Sequence, residues 1–178
     1  LEVYHALLDV NRDIDKIQYQ MKIQSKGGKN RKDISLMEGL KEKNVARNNL
    51  QGDRINLIQV QLSSETDPTQ RTNLELKKNS LELELVNYQI EDKGFLAEIE
   101  GDSDQKGKLD ELQEKYVARN RLQGERVNLI QVLLSSETDS TQRTNLELKK
   151  NKLELERVNY DIKEKEVKIE GDSDQKGK

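Results

Sequence analysis

The 178-residue chain is 37% charged and 32% apolar, with one Phe, one Pro, no Trp and a formal net charge of −3. A thick globular core needs more apolar mass than this. Periodic leucines and a near balance of acidic and basic residues also argue against disorder, so the profile is that of long helices packed thinly, with much of each helix in water.

Glu and Lys are interleaved and the sequence pI is about 5.5, which gives no clustered cationic face of the kind that holds a phosphate backbone. Five scattered tyrosines make a poor stacking platform for single strands, so nucleic acid is not an expected partner. No apolar run approaches the length of a membrane span. The absence of cysteine removes disulfides and thiolate sites. Leu1 in place of Met suggests that the natural N-terminus lies upstream, and a cell-surface or secreted setting is favoured over the cytoplasm.

In chain order, Val10-Asn11-Arg12-Asp13-Ile14 aligns with Val86-Asn87-Tyr88-Gln89-Ile90 and with Val158-Asn159-Tyr160-Asp161-Ile162. Residues 1–33 therefore read as the second half of a preceding repeat plus the loop "SKGGKNRKD". Val45-Ala46-Arg47-Asn48 returns 72 positions later as Val117-Ala118-Arg119-Asn120, and most positions that follow are identical. Such self-similarity marks a tandem repeat, with one whole repeat over 34–108 and another over 109–178.

The first helix of each repeat carries apolar residues on two sides: Met37, Leu40, Ile55, Ile58 and Leu62 on one, Ala46, Leu50, Leu57 and Val60 on another. Asn48, Gln51 and Gly52, repeated as Asn120, Gln123 and Gly124, interrupt this pattern. They are either a polar layer fixing register in a seam or a solvent face. A glycine in such a seam would fit a close approach of helices or a bend.

"SSETDPTQRTNLELKK" at 63–78 recurs as "SSETDSTQRTNLELKK" at 135–150. Asp67 is a good N-cap, Pro68 suits the first helical position and Gln70 stands where a capping-box partner belongs. The phrase is thus a hairpin bend, and Asp139, Ser140 and Gln142 repeat it.

The helix over 69–99 has Leu74, Leu81, Tyr88 and Phe95 on one stripe and Leu76, Leu83, Ile90 and Ala97 on another, roughly 200° around the axis. "LELELV" and "VNLIQV" also alternate as a strand would, but the thirty-residue extent and the helix-forming Leu, Glu, Lys and Gln favour helix. A two-helix hairpin buries one stripe and leaves the other. Leu76, Leu83 and Ile90, with Leu148, Leu155 and Ile162 in the second repeat, are therefore the expected interface residues, facing a third helix or another molecule.

Gly101 to Lys108 reads as a polar loop closing one helix and opening the next. From Asp102 to Gln113 the spacing resembles a calcium-binding EF-hand loop, with carboxylates at positions one, three and nine and glycine at six. That resemblance implies Asp102, Asp104 and Asp110 as weak calcium ligands, although Lys106 and Gln113 stand where position five and the bidentate position twelve need oxygens of a carboxylate. The plainer reading is a linker whose aspartates cap helices.

His5 is the single histidine, with no second imidazole and no placed nucleophile beside it, and no glycine-rich loop follows a strand. No catalytic residue, metal or cofactor is expected, and the chain is not read as an enzyme. The expected fold is all-α, an elongated tandem of antiparallel helical hairpins of coiled-coil or three-helix-bundle type, a pattern it shares with spectrin-like repeats, though shorter and without their tryptophan. The expected function is a structural repeat protein: a spacer, stalk, scaffold or self-assembly module forming a homo-oligomer or filament. The alternatives are a module that captures another protein's helix and, third, a weakly calcium-responsive helical protein.

Overall fold

The computed structural model describes the backbone of residues 2–26, 34–100 and 105–176. Over those residues the chain is five helices with no strand: α1 (Glu2–Lys26), α2 (Ile34–Ser64), α3 (Pro68–Glu100), α4 (Gln105–Ser136) and α5 (Ser140–Lys176). Both segments that alternate like strands, within α3 and α4, are helical. Their alternation comes from two apolar stripes on one helix, and a stripe on each side of a helix looks locally like a period of two.

The repeated polar phrase is a bend in which nearly every side chain serves a backbone group. Asp67 Oδ1 accepts from the Gln70 N–H at 2.8 Å, and Asp139 Oδ1 accepts from the Gln142 N–H at 2.9 Å. The reciprocal half of the cap differs from the expectation. Glu65 Oε1, not Gln70, accepts from the Asp67 N–H at 2.9 Å, and Glu137 does the same for Asp139 at 3.0 Å. The preceding helix is closed by arginine: Arg71 Nη1 donates to the Leu62 carbonyl and Arg143 Nη1 to the Leu134 carbonyl, each at 3.0 Å. Helix ends leave such donors and acceptors without intrahelical partners, so this phrase folds the bend without a ligand.

Of the expected loop Gly101 to Lys108, residues 101–104 lie outside the described residues and 105–108 are helical. α4 begins at Gln105, inside the segment read as linker, and α5 continues through the identical residues "GDSDQK" to Lys176. One glycine costs a helix about 1 kcal/mol, which a helix already nucleated and more than thirty residues long can absorb.

The helices group into two compact units, residues 1–57 and 58–178. In the first, Leu7, Ile14 and Met21 of α1 are buried, as are Met37 and Leu40 of α2. The pair is antiparallel: Asp13 meets Lys43 at 3.2 Å, Ile17 Cδ1 lies 3.9 Å from where a Gly39 Cβ would stand, and Arg54 sits over the Tyr4 ring at 5.6 Å. Gln51 is fully buried. No atom lies within 4 Å of a Cβ placed on Gly52, so this glycine does not mark a close approach of helices.

In the second unit α4 packs on both α3 and α5. Leu83 and Val86 of α3 meet Leu122 of α4, with Ile90 and Ala118 against them. Toward the bend, Val127, Ile130 and Leu134 of α4 enclose Leu153 of α5, joined by Leu76 and Leu146. Full burial of each leucine contributes roughly 1.5–3 kcal/mol. The far half of the α4–α5 seam is polar. Gln123, fully buried, donates to the Leu153 carbonyl at 3.0 Å and to Glu156 at 2.9 Å. Asn120 donates to Glu164, and Arg119 lies between Tyr160 and Tyr116, 3.9 and 4.8 Å from the ring centroids. Burial lowers the Arg119 pKa and the two tyrosines oppose that.

Of the two readings for the repeated Asn–Gln pair, the seam holds for Gln51, Gln123 and Asn120, which are buried, and in α4 the Gln123 and Asn120 amide nitrogens tie one register by donating to α5. Gly124 faces the Arg157 guanidinium, 3.4 Å from a placed Cβ. It leaves room for a side chain, not for a neighbouring backbone.

Candidate functional site

Each second helix of a repeat carries the same two stripes, and the structure covers them unequally. On α3, Leu81 and Leu83 lie on opposite sides of the helix and are each 6% exposed. At the equivalent positions of α5, Leu153 is 5% exposed but Leu155 is 64% exposed. The inner stripe of α5 is closed by α4 and the outer one is open.

The six expected interface residues divide the same way. Leu83 is buried against Leu122, Ile90 packs beside it, and Leu76 joins the cluster around Ile130. These three are core between α3 and α4. Leu148, Leu155 and Ile162 are all exposed, and so is Val158, whose counterpart Val86 is buried. Val158 was not among the expected residues, although alignment of the repeats identifies it.

α1 supplies a second instance of the covered arrangement. In the alignment that sets Val10 on Val86, Leu7 and Ile14 correspond to Leu83 and Ile90, and they are 3% and 2% exposed. The register of packing is conserved as well. Ile17 and Gly39 face each other in the first unit, and their aligned counterparts Lys93 and Glu111 form a 2.5 Å ion pair in the second. Lys93, by hydrogen bond and charge, lowers the Glu111 pKa below the ordinary carboxylate value. Two of three such helices therefore have their Leu83-type stripe covered by a first helix, in one register.

The surface beside the stripe tells the same story. A groove of about 600 Å³ has one wall from Gln59, Leu62, Arg71, Glu75, Lys78 and Asn79, and the other from α4 through Arg121, Glu125, Leu129 and Val132. A second groove of about 330 Å³ is lined by Gln131, Leu134, Arg143, Glu147, Lys150 and Asn151. These are the repeat counterparts of the first wall, residue for residue, and among the described residues no counterpart of the Arg121, Glu125, Leu129 and Val132 wall lines this groove. Asn79 is buried and donates to the Leu122 carbonyl at 2.8 Å, whereas Asn151 is exposed. Sequence reading missed this asparagine because it is polar, although its spacing of three from Leu76 and four from Leu83 puts it on the same helix face as that stripe.

The opposite face of α1 differs in chemistry. The positions matching Leu81, Tyr88 and Phe95 hold His5, Arg12 and Tyr19, all exposed. His5 has an edge contact with Tyr4 at 6.0 Å between ring centroids.

Among the described residues, no group of three or more His, Cys, Asp or Glu side chains could hold a metal ion. Asp102 and Asp104 lie outside the described residues, and Asp110 is exposed on α4. Among the described residues, no helix is long and apolar enough to cross a membrane. Comparison with protein-family models, curated proteins and solved structures finds no match to this chain.

Proposed function

We propose that the chain is a structural tandem-repeat protein, a spacer or self-assembly module that works through helix–helix packing at the outer face of α5. One observation carries the reading: the stripe that is core in α1 and α3 stands open in α5, with Leu148, Leu155, Val158 and Ile162 each more than half exposed. In repeat proteins each unit buries its apolar face against a neighbour, so an open copy of a normally covered face is a joining surface. Contiguous exposed apolar residues mark interaction sites, and adding units changes reach or valency without redesign of a site.

Sedimentation equilibrium over a wide concentration range tests this. The wild-type chain associates as concentration rises, while Leu155→Glu with Ile162→Glu stays monomeric at unchanged helicity. Identical sedimentation of the two proteins contradicts the proposal, and loss of helicity in the variant would make the stripe core.

A further inference from the structure

We propose that the open face of α5 is a docking site for a helix of the α4 sequence type, seated in the register that α4 takes on α3. The inference rests on the preceding reading of that face as an interface, and it adds the occupant and its register. The argument is one of continuity with an interface already present in the molecule. α3 and α5 share Asn79/Asn151, Leu83/Leu155, Val86/Val158 and Ile90/Ile162. On α3 these residues meet the Leu122 carbonyl, the Leu122 side chain and Ala118. α5 has the donor, the stripe and one wall of the groove, so the missing parts are those that α4 supplies.

The chemistry of the occupant follows position by position. Near Ile162 it needs a small residue, as Ala118 and Ile90 pack on the same cluster of Leu83, Val86 and Leu122. Opposite Leu155 it needs the leucine that Leu122 provides. Two turns further on it needs apolar residues where Leu129 and Val132 close the first groove. An acidic residue at the Glu111 position would face Lys165, as Glu111 faces Lys93.

A second α5 fits less well. Antiparallel pairing of Leu155 with Val158 sets Asn151 against Ile162 at both ends, where the α4 pattern places alanine. Each such amide is then removed from water beside an aliphatic side chain without the carbonyl that Asn79 finds, a loss comparable to an unmade hydrogen bond.

The experiment uses the full chain and a labelled 32-residue peptide of the α4 sequence, Gln105–Ser136, followed by fluorescence anisotropy. The expected result is saturable one-to-one binding. It weakens at least about 30-fold for Leu155→Glu in the chain or Leu122→Glu in the peptide, the loss of one core leucine contact. Val117→Glu in the peptide changes it less than about 3-fold, because Val117 is 48% exposed when α4 sits on α3 and such exposed sites tolerate change. A disulfide between Leu155→Cys and a Leu122→Cys peptide reports the register, and its failure beside efficient linkage at Leu129→Cys would overturn it. Binding indifferent to Leu155→Glu would mean that the peptide exchanges with the chain's own α4, which overturns the inference. Absence of peptide binding in a chain that dimerises through Leu155 would leave the interface standing and make a second α5 its occupant. With neither binding nor dimerisation, both readings fall.

Discussion

Leu83→Ala and Leu155→Ala are the same substitution in the same local sequence, each leucine between two glutamates and two residues beyond a buried leucine. They differ in what lies across from the side chain. Leu83 is 6% exposed and packs on Leu122; Leu155 is 64% exposed. Truncating the first removes a buried isobutyl group and leaves a cavity between α3 and α4, which costs about 2–5 kcal/mol. With roughly 2–4 °C per kcal/mol for a chain of this size, a mid-range loss of about 3 kcal/mol lowers Tm by about 6–12 °C. Truncating the second changes stability by no more than about 0.5 kcal/mol, or less than about 2 °C. Circular dichroism at 222 nm, recorded at low micromolar protein so that contacts between molecules contribute little, reads both. Equal losses would refute the assignment of one stripe to core and its copy to surface.

Three further outcomes follow from the bends and seams. Gln123→Ala removes hydrogen bonds to the Leu153 carbonyl and to Glu156 from a fully buried site, and should destabilise the chain by about 2–4 kcal/mol in urea titration. Ser140→Pro copies Pro68 into the first position of α5, where no helical donor is needed, and should raise Tm by about 1–4 °C through loss of freedom in the unfolded chain. Glu111 titrates below an ordinary glutamate because Lys93 favours its carboxylate. The contact is thus present at neutral pH and is lost as pH falls through that lowered value; an NMR titration should show Glu111 returning to the ordinary range in Lys93→Ala.

Much of this architecture is legible in the residues. The repeat offset, the Asp67 and Asp139 caps and the double stripe of α3 all follow from spacing and side-chain type. Other features depend on partners distant in the chain. Gln51 and Gln123 are equally at home in a seam or in water by sequence, and burial is decided in Gln123 by the Leu153 carbonyl thirty residues away. Gln70 has the capping-box spacing, but Glu65 reaches the Asp67 N–H from outside the helix, a geometry that the S-x-x-E pattern does not encode. Leu83 and Leu155 cannot be told apart locally, because a stripe looks the same whether or not a helix follows to cover it. That difference is where the proposed function resides.

The most direct test of the central claim is to supply a further first helix by joining another copy of residues 109–178 after Lys178 and measuring the cost of Leu155→Ala in the longer chain. If α5 is α3 awaiting its next helix, the cost rises from within about 0.5 kcal/mol to the 2–5 kcal/mol of a core leucine, and matches that of Leu83→Ala. A cost that stays near zero would contradict the account, because the added helix would then have found no place on the α5 face.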